Sequence, residues 1–420
     1  MKLPTLLGLL WMCSWISGQP QGDPKFRFMV QEDVSLTIPF DFSQNLIIIP
    51  MRINQSPPLR FVLDSGISNS IITELTGVDT LLLNFARLVK VTGLGEGSSA
   101  EAYYSAGNRL TIDHPDGLGR GLVKESGEVY VLTADQFELS KQLGFQVNGL
   151  IGSELFNQFI IQFDPIEKTI LFHDRSTFNY KRLKRNYSRI PLTIKAGKAY
   201  VDVSFVQEDG SELLTHLLID TGASLSFWIS AKSDPQVKIP TKTVKAMLGQ
   251  GLNGDITGIN GRLLQARLGP FSFRKPLVAY PDSASVGEIA LNSERHGSMG
   301  NDILRRFTVY MDFSGGAMYL KPNKWFYSSF SYNRSGMEIE KPFPQLPVFA
   351  VYSVMDGSAA YKAGIKPGDQ IEYINFIPAY SLTLDDFNHI LHGEEGKSVN
   401  LRINRDGKQF RTKFRLEGKI

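Results

Sequence analysis

Two triplets, Asp64-Ser65-Gly66 and Asp220-Thr221-Gly222, hold the residues of this chain best suited to acid–base chemistry. Two carboxylates held about 3 Å apart cannot both ionise, so they share one proton and present a base beside an acid. Such a pair can hydrolyse an amide without metal or covalent intermediate. The ionised group takes a proton from water while the protonated group supports the carbonyl oxygen. Each Asp follows a short apolar run, Phe61-Val62-Leu63 or Leu217-Leu218-Ile219, the pattern of a buried strand that delivers the carboxylate to an interface. Ser65 and Thr221 supply hydroxyls to brace the turn, and Gly66 and Gly222 leave room for two loops to meet. Ser68 and Ser224, two positions beyond the glycines, can hydrogen-bond an outer carboxylate oxygen. A chain of this length contains roughly 0.2 such triplets by chance, so two with the same flanks point to a paired site rather than to isolated turns.

The triplets sit inside a repeat. Ile38-Pro39-Phe40 opens one copy and Ile190-Pro191-Leu192 the next, followed by the strands Leu46 to Ile53 and Ala199 to Val206. Gly93-Leu94-Gly95 is answered by Gly249-Gln250-Gly251, and Gly149-Leu150-Ile151-Gly152 by Gly297-Ser298-Met299-Gly300. Each copy closes on a strand pair around Asp164 or Asp312. The copies are offset by 156 residues at the aspartates and by 148 at Gly152/Gly300 and Asp164/Asp312, so they differ by small loop insertions. One lobe is therefore expected over residues 34–174 and a second over 190–325. Residues 175–189 join them, and their Arg175, Lys181, Arg182, Lys184, Arg185 and Arg189, with no acid between, read as a solvated linker.

This arrangement resembles the pepsin and retropepsin superfamily of aspartic peptidases over about residues 34–322, with short lobes closer to its bacterial retropepsin-like members. The resemblance implies a mainly β fold, a two-lobed double β-barrel, with Asp64 and Asp220 as the catalytic pair. It also implies a polypeptide substrate, no cofactor, and a monomer whose two lobes form an internal pseudo-dimer. Leu150-Ile151-Gly152 is similar to the family's hydrophobic-hydrophobic-glycine signature, whose strand runs behind the active-site loop; Ser298 departs from it in the second copy. The Gly93/Gly95 and Gly249/Gly251 segments fall where the family carries flaps. Glycine backbone suits a lid that opens for a polypeptide, and neither segment has the lysine of a phosphate-binding loop.

A third unit is expected over residues 335–420. Its run Ala363-Gly364-Ile365-Lys366-Pro367-Gly368-Asp369-Gln370-Ile371 resembles a PDZ domain. That implies an α+β module that binds peptides by strand addition between its second strand and a helix. The expected groove lies between Ala350 to Val354 and a helix capped by Thr383, with Asp386 three residues on. Val348, Phe349, Ala350, Val351, Tyr352 and Phe387 are its candidate lining residues. The carboxylate-binding loop is then expected at Leu346-Pro347-Val348-Phe349. Pro347 lacks an amide donor there, so internal segments as well as chain ends are candidate ligands.

The rest of the chain bounds these readings. Its 420 residues suggest two or three domains, and 42% hydrophobic with 21% charged residues is a globular composition. A net charge of +3 gives no nucleic-acid footprint. Lys2, the apolar run Leu6 to Ile16 and Ser17-Gly18 read as a signal peptide over residues 1–18, with an N-terminal segment over 19–33. An exported protein, periplasmic or secreted and without a stable membrane span, is expected. The one cysteine, Cys13, falls inside that signal, so the mature chain is expected to lack a thiol nucleophile and disulfides. The six histidines show no metal spacing, and no metal or cofactor is expected. The leading reading is an aspartic endopeptidase with a peptide-binding module. The alternative is a non-catalytic peptide-binding protein on the same scaffold. A glycosidase is disfavoured because its carboxyl groups stand at least about 5 Å apart.

Overall fold

The computed structural model describes residues 25–75, 81–84, 86–91, 100–135, 137–252, 254–282 and 295–420. The expected signal peptide and the flap candidates Gly93 and Gly95 lie outside these residues. The described chain is mainly β, two barrel-like lobes followed by a smaller α+β unit.

Each lobe is organised around the strand that ends at its aspartate. Leu59–Leu63 pairs antiparallel with Leu46–Ile53 on one side. On the other it pairs parallel with the short strand Gly149–Ile151, in register Phe61↔Gly149, Val62↔Leu150 and Leu63↔Ile151. Gly149–Ile151 also pairs antiparallel with Ser70–Ile72, so the chain before and after the Asp64 turn clasps one strand. All three residues of that strand are buried, which explains its unbroken apolar run. Lobe 2 repeats the device. Glu212–Ile219 runs parallel to Gly297–Met299, with Leu217↔Gly297, Leu218↔Ser298 and Ile219↔Met299, and Phe227–Ile229 lies on the far side. The long hairpin Ala100–Asp113 and Gly121–Leu132 closes the lobe 1 sheet on itself.

A six-stranded sheet joins the lobes. Its order is Ser188–Pro191, Ala317–Pro322, Phe307–Asp312, Ile160–Asp164, Thr169–His173, Ser35–Pro39. One strand from each copy meets at the centre, Ile161↔Met311, Gln162↔Tyr310 and Phe163↔Val309. The two Ile-Pro strands form the outer edges, where a proline removes no ladder bond. One hydrophobic core runs continuously through both lobes, including Phe61, Phe163, Phe205, Phe227 and Phe307. The basic connection between the lobes is docked rather than loose. Its helical turn Lys181–Asn186 buries Leu183 against Ala317 and Tyr319, and Tyr180 donates a 2.7 Å hydrogen bond to Asp312 Oδ2.

In the C-terminal unit the sheet order is Met337–Glu340, Phe349–Val354, Gln370–Ile374, Ser398–Arg405, Lys408–Arg415. The helix Leu384–Leu391 starts at Thr383 with a reciprocal cap. Thr383 Oγ1 accepts from Asp386 N at 3.2 Å, and Asp386 Oδ2 accepts from Thr383 N at 2.8 Å. Leu384, Phe387 and Leu391 turn its apolar stripe onto the sheet, with the Phe387 ring 4.8 Å from Phe349. Among the described residues no helix is long and apolar enough to cross a membrane.

The central pairing of the joining sheet should dominate lobe stability. Phe163 is 1% exposed, and Phe163→Ala should cost about 3–5 kcal/mol, read as a lowered urea midpoint. An unchanged midpoint would show that the lobes do not depend on this seam.

Candidate active site

The two aspartates leave their strands with their amides already fixed. Asp64 N donates to Ile151 O at 2.9 Å and Asp220 N to Met299 O at 3.0 Å, so the strand behind each turn also sets its height. The turns then lock to each other across the lobes. Thr221 Oγ1 donates to Leu63 O at 2.7 Å and accepts from Ser65 N at 2.9 Å. Ser65 Oγ donates to Ile219 O at 2.8 Å and accepts from Thr221 N at 3.1 Å. Both side chains are fully buried. Only a residue that donates and accepts through one short side chain can fill this role, hence Ser and Thr.

The glycines account for the closeness of the carboxylates. A Cβ on Gly66 would sit 3.1 Å from Asp64 Oδ1 and 3.2 Å from both Cγ and Oδ1 of Asp220. One on Gly222 would sit 2.4 Å from Asp64 Cγ and Oδ2. A side chain at Gly222 would push the turns apart, and one at Gly66 would crowd both carboxylates. The same glycines hold the carboxylates with their amides: Gly66 N donates to Asp64 Oδ1 at 2.7 Å and Gly222 N to Asp220 Oδ1 at 3.1 Å. Ser68 is exposed and Ser224 half-buried, and among the described residues neither hydroxyl bonds a carboxylate. The expectation placed on these two serines thus falls to the glycine amides, which donate to the carboxylates directly. Ser224 contributes its carbonyl instead, accepting from Asn45 Nδ2 at 3.0 Å across the lobe boundary.

Burial, and then the charge of Asp220, push the Asp64 carboxyl up to about 7. Burial also raises Asp220, opposed by Arg295, by the Gly222 amide and by Lys198. The pair therefore retains a proton in the range where an ordinary aspartate would have lost it.

Lys198 and Arg295 were not foreseen as neighbours of the pair, although the repeat contained the signal. Lys198 occupies the hairpin position held by Leu46 in lobe 1. Arg295 and Ser298 stand where lobe 1 has Val147 and Leu150. Leu46, Val147 and Leu150 belong to one small apolar cluster, so three substitutions turn that cluster polar in lobe 2. Arg295 lies over the Trp228 ring at 5.8 Å. Asn301 was also unforeseen; its Nδ2 donates to Thr221 O at 2.7 Å and braces the second turn from behind.

Of the flap candidates, Gly249 and Gly251 lie on the hairpin Thr243–Gly251 and Gly254–Arg262. Gly249 sits at a bulge with φ 146°, a conformation that suits glycine. Beyond it, Leu252 is buried with Ala100, Ala102 and Leu132 of lobe 1, so the hairpin bridges the lobes.

The expected peptide groove of the C-terminal unit shifts by one strand. Phe349–Val354 pairs with Met337–Glu340 on one side and, at Phe349 and Ala350, with Gln370–Ile374 on the other, so it is an interior strand. Phe349, Val351 and Phe387 are core residues, Val348 and Ala350 are half-buried, and Tyr352 turns toward lobe 2. The edge belongs to Met337–Glu340. The turn before it, not Leu346 to Phe349, ends in a glycine, Gly336 at φ 74°. Its amides are occupied: Asn333 Oδ1 accepts from Ser335 N at 3.0 Å and Gly336 N at 3.3 Å. Among the described residues, no cluster of three or more His, Cys, Asp and Glu is arranged to hold a metal ion.

Residues 350–405 match the family model described as PDZ domain. Among curated proteins, none matches the chain. Solved structures with a similar course include conglutin gamma, a basic 7S globulin from lupine seeds, at 13% identity over 72% of this chain and 96% of that one, with a TM-score of 0.41. The basic 7S globulin from soybean is 12% identical over 73% and 97%, with a TM-score of 0.38. An aspartic proteinase from Irpex lacteus is 13% identical over 70% and 99%, with a TM-score of 0.42.

Two outcomes test this geometry. Thr221→Val keeps the shape but leaves Ser65 N and Leu63 O without partners. It should cost about 2–4 kcal/mol, whereas Thr221→Ser should restore most of that loss in the same unfolding assay. Asp64→Asn tests the electrostatics. A carboxyl raised in the native state makes the fold bind more protons than the unfolded chain, so wild-type stability falls as pH rises from about 4 to about 7. The Asn variant should therefore gain on wild type across that window, measured as urea midpoints at several pH values. A constant difference would contradict the shared burial.

Proposed function

We propose that the chain is an aspartic endopeptidase that hydrolyses peptide bonds with a water molecule activated between Asp64 and Asp220. The observation that carries the reading is the convergence of both carboxylates on one point beside Gly66 and Gly222. With one proton on the pair, the ionised carboxylate takes a proton from water, and the new hydroxide attacks the peptide carbonyl. The other carboxyl gives its proton to the carbonyl oxygen, producing a neutral gem-diol. In the collapse the carboxyl that took the water proton passes it to the amide nitrogen, the ionised carboxylate takes one diol proton, and the C–N bond breaks, leaving acid, amine and one proton on the pair. The amide-held turns enter with their donors preset, so little reorganisation accompanies the step.

A polypeptide substrate suits a cleft bounded by two lobes and bridged by a hairpin that must lift to admit it. The PDZ domain is read as a strand-addition site at Met337–Glu340 for a short extended segment of substrate or partner, since lobe 1 already takes the amide of Lys341 at the end of that strand. Because Asn333 already fills the turn amides, an internal segment fits this edge better than a free chain end. Export is part of the reading, on the strength of the N-terminal apolar run.

The test is cleavage of an unbiased peptide library by the wild type, Asp64→Asn and Asp220→Asn. Either substitution should lower the rate by at least about 1,000-fold, and a statine-type peptide should block the wild type. Activity should decline as pH rises through about 7, where the shared proton is lost. Equal rates in all three proteins would remove the catalytic assignment and leave a peptide-binding protein on this scaffold.

A further inference from the structure

The hairpin that bridges the lobes is gripped from a third side, by the PDZ domain. Tyr352 belongs to the interior PDZ strand Phe349–Val354. Its neighbours pair with the edge strand as Val351↔Ile339 and Ser353↔Glu338, which leaves Tyr352 as the extra residue of a β-bulge. Bulges redirect side chains, and this one sends the tyrosine out of its own domain. The Tyr352 hydroxyl lies 3.3 and 3.2 Å from the two carboxylate oxygens of Asp255 and accepts from Gln250 Nε2 at 3.1 Å. Gln250 and Asp255 flank the hairpin tip and bond each other at 2.8 Å.

The PDZ domain is itself seated firmly enough to act as an anchor. Lys341 N donates to Lys141 O at 2.9 Å, and Lys341 Nζ to Gly144 O at 3.0 Å, both on the lobe 1 helix Leu139–Leu143 or its cap. Asp385, in the first turn of the PDZ helix, accepts from Ser43 Oγ at 2.9 Å and Gln44 N at 3.0 Å. Gln142 of the same lobe 1 helix donates to Gln250 Oε1, so lobe 1 and the PDZ domain hold the hairpin at one residue.

We propose that Tyr352 is a positioning residue for the lobe 2 hairpin: the PDZ domain latches that hairpin across the two lobes and so sets how readily the cleft opens. The latch rests on the peptidase reading for its consequence, but not for its existence. At 3.2 and 3.3 Å the contact from Tyr352 to the Asp255 carboxylate is longer than the strongest bonds of its kind, but it joins the hairpin to a different domain. Its loss should therefore show directly in the local opening of the hairpin.

The experiment is Tyr352→Phe in the full chain, with amide hydrogen exchange followed over residues 243–262 and cleavage of a quenched-fluorescence peptide followed in parallel. Hairpin exchange should quicken about tenfold while residues 398–415 of the PDZ domain keep their protection. Peptide kcat/KM should rise severalfold because the cleft opens more often. Asp255→Ala should quicken hairpin exchange at least as much, since it also removes the Gln250–Asp255 bond, and the double variant should fall short of the sum of the two because they share the Tyr352–Asp255 contact. The exposed Tyr361→Phe should change nothing. Unaltered exchange at 243–262 in Tyr352→Phe would overturn the latch, whatever the kinetics. Quickened exchange in a chain that cleaves no peptide would uphold the latch and count against the peptidase reading alone.

Discussion

The reciprocal hydrogen bonds of Ser65 and Thr221 are the constraint on which the rest of the site depends. Each hydroxyl reaches into the opposite lobe, accepts a hydrogen bond from an amide there and donates one to the carbonyl before the opposite aspartate. Four bonds buried at full depth fix the two turns to each other rather than merely to their own lobes. Because an unmade bond at such depth costs about 1–3 kcal/mol, the lobes cannot drift apart without exposing it. The carboxylates inherit this fixity, and their closeness follows from two missing side chains.

Everything behind the turns serves to keep that crossing in register. The joining sheet pairs strands from both copies, and the strand behind each turn fixes the height of its aspartate through a single amide bond. The two halves are not electrostatically equal. Lobe 1 packs Leu46, Val147 and Leu150 where lobe 2 carries Lys198, Arg295 and Ser298 respectively. Burial raises both carboxyls, the charge of Asp220 adds to the rise at Asp64, and the two cations restrain the pair. Burial and Arg295 in turn depress Lys198, as expected for like charges sharing a poorly hydrated space.

Much of this was legible in the sequence, for physical reasons that differ by feature. The triplets were readable because a buried crossing tolerates few residue types, so chemistry and spacing repeat together. The strand behind the first turn was readable because a segment buried on both faces is apolar throughout, and the second, where Ser298 breaks the run, was readable from its matching glycines Gly297 and Gly300. The roles of Ser68 and Ser224 were not readable, since a serine near a carboxylate in sequence need not point at it, and backbone amides leave no trace in composition. The PDZ edge was misplaced by one strand because Phe349–Val354 alternates as an edge strand or an interior strand would. Gly336, just before Met337, was the missed clue. The contact between Tyr352 and the hairpin had no sequence signature, because a bulge depends on pairing across two strands.

The claim that most needs a direct measurement is that Asp64 and Asp220 hold one proton between them. Carbon-13 labelling of the aspartate carboxyls allows their resonances to be followed from acid to weakly alkaline pH. The account predicts that the two active-site signals move together in two coupled steps, one of them near pH 7, and that replacing either aspartate by asparagine leaves a single simple titration. Two independent titrations near the ordinary aspartate value of about 3.9 would contradict it.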